Sequence, residues 1–186
     1  MWHKGFTLVE LMVVISILSL LGLVSYANIR KFREGQVIEK SASDLQSLLR
    51  LAQSNATARL KCNGQFGATW LVEFANRQTI NLKCYVNGPA STQQTLSFSG
   101  TNIQVNIIQG RQGISTCDSS FTPSVTNTIE IRFAPLYGTV MFYDSVEINN
   151  CLTRSTTTEA VITLRDTQRN TTKAVVAKKG GAIIVE

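Results

Sequence analysis

His3, Glu10 and four cysteines (Cys62, Cys84, Cys117 and Cys151) are the residues of this chain whose types could do chemistry, and their placement restricts what that chemistry is. His3 is the only histidine, so a His-based triad or a His-rich metal site would need a residue three positions from the start of the chain. No C-x-x-C spacing points to zinc, and without a nearby imidazole base catalytic thiol chemistry has no support. No Ser-x-x-Lys, Gly-x-Ser-x-Gly or phosphate-cradling loop is present. The chain reads as a non-enzyme with no cofactor. An even cysteine count suggests two disulfides in an exported domain. Sequence proximity favours Cys62 with Cys84 and Cys117 with Cys151, and the other two pairings stay open.

Glu10 is the more informative residue, because of the segment that holds it. No charged residue occurs over residues 11–29, about the 20 residues that a helix needs to cross a bilayer. The first 30 residues therefore read as a membrane segment with a carboxylate at its edge. Such a carboxylate is a functional site by default; the alternative is that it rests among headgroups. A secretory signal peptide is a competing reading, since Ser25-Tyr26-Ala27 fits a small-x-small cleavage site, but signal peptides rarely carry a carboxylate within the apolar stretch. Charge also conflicts with export. Arg30, Lys31 and Arg33 follow the span while only Lys4 and the amine precede it, which by itself would put the main domain in the cytoplasm.

The residues around Glu10 resolve that conflict. Lys4-Gly5-Phe6-Thr7-Leu8-Val9-Glu10, followed by Leu11-Met12, resembles the class III leader-peptidase site of type IV pilins and pseudopilins. The resemblance implies that a prepilin peptidase cuts after Gly5 on the cytoplasmic side, removing residues 1–5. Phe6 is then the N-methylated first residue. It also implies that Glu10 pairs with the free amine of a neighbouring subunit, which removes much of the penalty of each charge in hydrocarbon. The implied partners are other pilin or pseudopilin subunits, the prepilin peptidase and an inner-membrane assembly platform. The implied location is the inner membrane as a single-pass protein with a periplasmic globular domain, and afterwards a periplasmic pseudopilus or a cell-surface pilus.

The elements that must position these residues follow from pattern. Residues 6–29 form the membrane-spanning or filament-core helix. Ile38, Ala42, Leu45, Leu49, Ala52, Ala56 and Leu60 continue at three- and four-residue steps, so residues 30–61 read as an amphipathic second half with its stripe on the chain's own domain. A coiled coil would also give a stripe, but this one mixes Ala freely with Leu and lasts only about three heptads. Gly22 and Gly35 are points where the helix could bend. From Cys62 the texture turns to Thr, Asn, Gln and Ser interleaved with β-branched and aromatic residues, and 62–186 reads as a β-rich extracytoplasmic domain. Candidate strands are 68–74, 79–86, 95–99, 103–108, 128–133, 139–143, 160–164, 173–177 and 182–185. Loops are expected at 87–89 and 110–113. The fold class is α+β: a pilin-like fold with a long N-terminal helix packed on a C-terminal antiparallel β-sheet or β-sandwich domain. At 186 residues, 44% hydrophobic and 16% charged, the chain is long and apolar enough to fold around a core of its own.

Residues 131–140 (IRFAPLYGTV), 160–166 (AVITLRD) and 174–181 (AVVAKKGG) are similar to the GspH/FimT-like pattern of minor pilins and pseudopilins. Where major pilins carry a helix-disrupting proline, this chain has Ala27. Both features imply a minor subunit, structural or initiating, of a type IV pilus or a type II secretion pseudopilus. Some members of that group bind DNA through a C-terminal Gly-Arg-x-Arg motif; the corresponding residues here are Gly180-Gly181-Ala182-Ile183, without arginine. The alternative of a DNA-binding minor pilin acting in uptake then rests on charge alone. The chain carries +6, and Arg165, Arg169, Lys173, Lys178 and Lys179 face only Asp166 over 165–179, a local excess of +4. No aromatic stacking platform accompanies them, so a solvated face is the competing reading.

Overall fold

The structure is a computed structural model that describes residues 7–112, 115–121, 129–135, 140–144 and 158–186, with side chains at all of these except 22–34, 111–121 and 140–144. The helical periodicity of the sequence becomes one helix, α1 (Leu8–Thr57), whose assignment continues through both Gly22 and Gly35. Two compact units divide it: residues up to Val37, and the unit Ile38–Glu186 that contains its second half and all the strands.

Within the larger unit α1 buries Ile38, Ser41, Ala42, Leu45, Leu48, Leu49, Ala52, Asn55 and Ala56. The apolar members of this stripe, small and large, share one cluster with the strands. Leu60, expected to close the stripe, is instead 48% exposed, because the helix ends before it. The N–H of Leu60 donates to the Asn55 carbonyl (3.0 Å) and that of Arg59 to the Ala56 carbonyl (3.2 Å), with Arg59 at φ 53°. This is a Schellman ending, with arginine in the left-handed position that glycine usually fills.

Ten strands follow: β1 (Thr69–Phe74), β2 (Thr79–Tyr85), β3 (Ser91–Ser97), β4 (Ile103–Gln112), β5 (Ser115–Phe121), β6 (Ile129–Phe133), β7 (Val140–Asp144), β8 (Glu159–Asp166), β9 (Thr171–Lys178) and β10 (Ile183–Val185). They form two antiparallel five-stranded sheets, ordered β3-β2-β1-β6-β7 and β10-β9-β8-β4-β5. Alternation places one side of each strand in the core. Val72 stands between Leu82 and Ile131, Phe74 between Ile80 and Ile129, and Trp70 between Cys84 and Phe133. In the other sheet Ile162 opposes Val175 and Ala160 opposes Ala177. These side chains and the helical stripe make one cluster, so the α+β class holds, with the helix packed on sheets.

Three sequence expectations change here. Gly110 is part of β4, not of a loop, and is buried opposite Ala160. β3 begins at Ser91, earlier than expected, and β5 was not anticipated, since STCDSSF has little apolar content to signal a strand. A register shift between Val105 and Ile107 also re-phases β4: Ile103 and Val105 are buried before it, Ile108 and Gly110 after it.

Candidate assembly site

Thr7 precedes the first residue of α1 and caps it. Its carbonyl accepts from the N–H of Leu11 (3.2 Å), and its Oγ1 accepts from the N–H of Glu10 (3.3 Å). Thr7-Leu8-Val9-Glu10 thus has the T-x-x-E spacing of a capping box, with the threonine half of the exchange made. The carboxylate of Glu10 lies in the first turn, where the exposed N–H groups and the helix dipole favour negative charge. Among the described residues it has no ion-pair partner. The motif was visible in the sequence as Thr7 three residues before Glu10, a local role for both that the assembly reading passed over.

The following turns present hydrocarbon in all directions. Every large apolar residue from Leu8 to Leu21 is exposed, from 45% at Val14 to 71% at Leu8. Residues at every helical angle are included, so no single face is reserved for one partner. The polar groups in this stretch are already satisfied: Ser16 Oγ donates to the Met12 carbonyl and Ser19 Oγ to the Ile15 carbonyl, each at 2.8 Å. Among the described residues, no helix is long and apolar enough to cross a membrane; the described side chains of this stretch stop at Leu21, while the apolar sequence runs on to Ile29. Gly5 and Phe6 lie outside the described residues.

Cys62 and Cys84 form a disulfide with Cα atoms 5.9 Å apart, fastening the segment after α1 to β2. Cys62 opens a tight reversal, exchanging backbone hydrogen bonds with Gln65 around Asn63 and Gly64, both at positive φ. The pair Cys117 and Cys151 lies outside the described side chains. Among the described residues no group of three or more His, Cys, Asp or Glu side chains could hold a metal.

The five basic residues of the C-terminal hairpin do not converge on one face. In the β8–β9 register Lys173 opposes Leu164, on the core-facing side, with its Nζ 3.9 Å from Glu39 on α1. Arg165 opposes Thr172 and Lys178 opposes Glu159, both on the other side. Arg169 lies in the turn, where Nη1 is 3.1 Å from Asp166 Oδ2. That aspartate is only 3% exposed and its Oδ1 accepts from the N–H groups of Gln168 (2.9 Å) and Arg169 (3.3 Å), so the arginine serves the turn. Lys179 follows β9, with its N–H on the Thr158 carbonyl (2.7 Å). Gly181, at φ 90°, turns the chain into β10, which makes the Gly180-Gly181 pair a feature of the hairpin.

No curated protein and no solved structure matches this chain. Residues 3–26 match the family described as the prokaryotic N-terminal methylation motif, the stretch that holds the Thr7 cap, Glu10 and the exposed apolar turns. The N-terminal stretch is therefore similar to the class III prepilin leader and helix start of type IV pilin-like and pseudopilin proteins.

Proposed function

We propose that this protein is a minor pilin or pseudopilin of the GspH/FimT-like kind, a non-enzymatic structural or initiating subunit of a type IV pilus or a type II secretion pseudopilus. The observation that carries the reading is the coincidence of the methylation motif with helical turns that expose apolar side chains in every direction. Such a surface needs lipid or neighbouring helices around it, and a subunit that moves from membrane to filament meets both in turn. Residues 1–5 are the leader, residues 6–29 the span and later the filament core, and the β-rich unit is periplasmic before assembly. Cleavage follows Gly5, Phe6 receives the methyl group, and Glu10 meets the amine of an adjacent subunit. The similarity of residues 131–140, 160–166 and 174–181 to the GspH/FimT-like pattern supports a minor subunit. The DNA-uptake alternative gains nothing from the hairpin, whose cations are divided between two faces and a turn.

Mass spectrometry of the mature N-terminus, after co-expression with a prepilin peptidase, tests this reading. A chain beginning at methylated Phe6 supports it. A chain cut after Ala27, or left uncut, overturns it.

A further inference from the structure

In the larger unit a groove of about 310 Å³ lies between α1 and β3. Leu48, Leu51 and Leu96 give it apolar walls, and Asp44, Ser47 and Gln94 give it polar ones. None of these three polar side chains has a hydrogen bond or ion pair among the described residues. β3 is the outermost strand of its sheet, so one of its edges presents backbone N–H and C=O groups that β2 does not use.

Natural edge strands are normally blunted by lysine, proline, shortness or a cover. β10, an edge of the other sheet, shows two of these devices: it has three residues, and Gln46 Nε2 (2.9 Å) and Arg50 Nη2 (3.1 Å) both donate to its Ile183 carbonyl. β3 has seven residues, STQQTLS, with neither a charge nor a proline, and its middle is exposed. Of these two edge strands, β10 is covered and β3, among the described residues, is left open beside the groove.

We propose that β3 and this groove receive an extended segment of a partner protein, which adds to the sheet as a further strand, sets an apolar side chain against Leu48, Leu51 and Leu96, and brings a basic side chain to Asp44. An unpaired strand edge recognises extended backbone, and side-chain pockets beside it supply the specificity. Among the described residues Asp44 is the one ionisable group lining the groove, which sets the sign of the partner's charge. A second copy pairing through its own β3 would bring no cation to Asp44, so the added strand has another sequence. The proposal stands on the groove and the open edge and does not require the filament reading.

The test is a titration of the full chain in detergent micelles with two labelled peptides of alternating valine and threonine, one with a central lysine and one with glutamate there. The lysine peptide should bind about fivefold more tightly at low salt, with the difference shrinking as salt rises. Asp44→Lys, a change at an exposed position, should reverse the preference. Equal binding of both peptides, no saturable binding of either, or sedimentation showing that the chain self-associates through β3 would each overturn the proposal.

Discussion

The guanidinium of Arg50 donates to the main-chain carbonyl of Ile183 across 133 positions of sequence, at 3.1 Å, and shares that acceptor with Gln46 four residues earlier. Gln53 extends the contact to the Gly181 carbonyl at 3.0 Å. One polar flank of the buried helical stripe therefore fastens the C-terminal strand. Gln46→Ala with Arg50→Ala should destabilise the unit by about 1–3 kcal/mol, since a carbonyl accepting from a charged donor is left to water. Hydrogen exchange should locate the loss at β10 before it reaches β8. Uniform loss of protection across both sheets would contradict this account.

Thr7→Ala should fray the first turn of α1 by about 1 kcal/mol while leaving the β domain unchanged. Faster amide exchange at Glu10 and Leu11 in micelles is the readout.

If Glu10 pairs as proposed, Glu10→Ala should still insert into membranes but enter filaments poorly, because the apolar turns are intact and the carboxylate for the neighbouring amine is gone. Immunoblots of sheared filaments against membrane fractions measure both steps. Normal incorporation would sink the assembly role of this carboxylate.

Arg59→Gly should raise stability by about 0.5–1 kcal/mol, since a side chain is removed from a left-handed position at φ 53°. Thermal unfolding of the full chain in detergent gives the comparison.

Cys62→Ser with Cys84→Ser should lower stability by roughly 3 kcal/mol, as the bond closes a loop of sequence separation 22. The urea midpoint of the double variant should fall while its far-ultraviolet circular dichroism stays close to that of the parent.

The helix and most strands were legible because periods of 3.6 and 2 survive in the sequence: Ala42, Leu45, Leu49 and Ala52 mark the stripe, and Ile129, Ile131 and Phe133 the inner side of β6. Legibility ended where a long-range partner decides. Ile107 and Ile108 are equally apolar, and only the shift against β8 selects Ile108 for the core. The end of α1 was misplaced because arginine stands at the left-handed position, so no glycine announced it. The basic hairpin looked like one patch because charge adds along a chain, whereas strand register separated Lys173 from Arg165. Glu10 was found through its neighbours in sequence, and its cap through geometry.

Ser16 and Ser19 turn their hydroxyls back onto their own helix, so the turns around them offer neighbours no directional bonds. Where such helices lie side by side, pulling them apart uncovers hydrocarbon, but shifting one along its axis exchanges one apolar contact for another. The helical stretch from Leu11 to Leu21 can therefore hold neighbours through burial of hydrocarbon, not through directional bonds. In a bundle of such helices, the polar groups at the ends of the stretch are what is left to fix axial position.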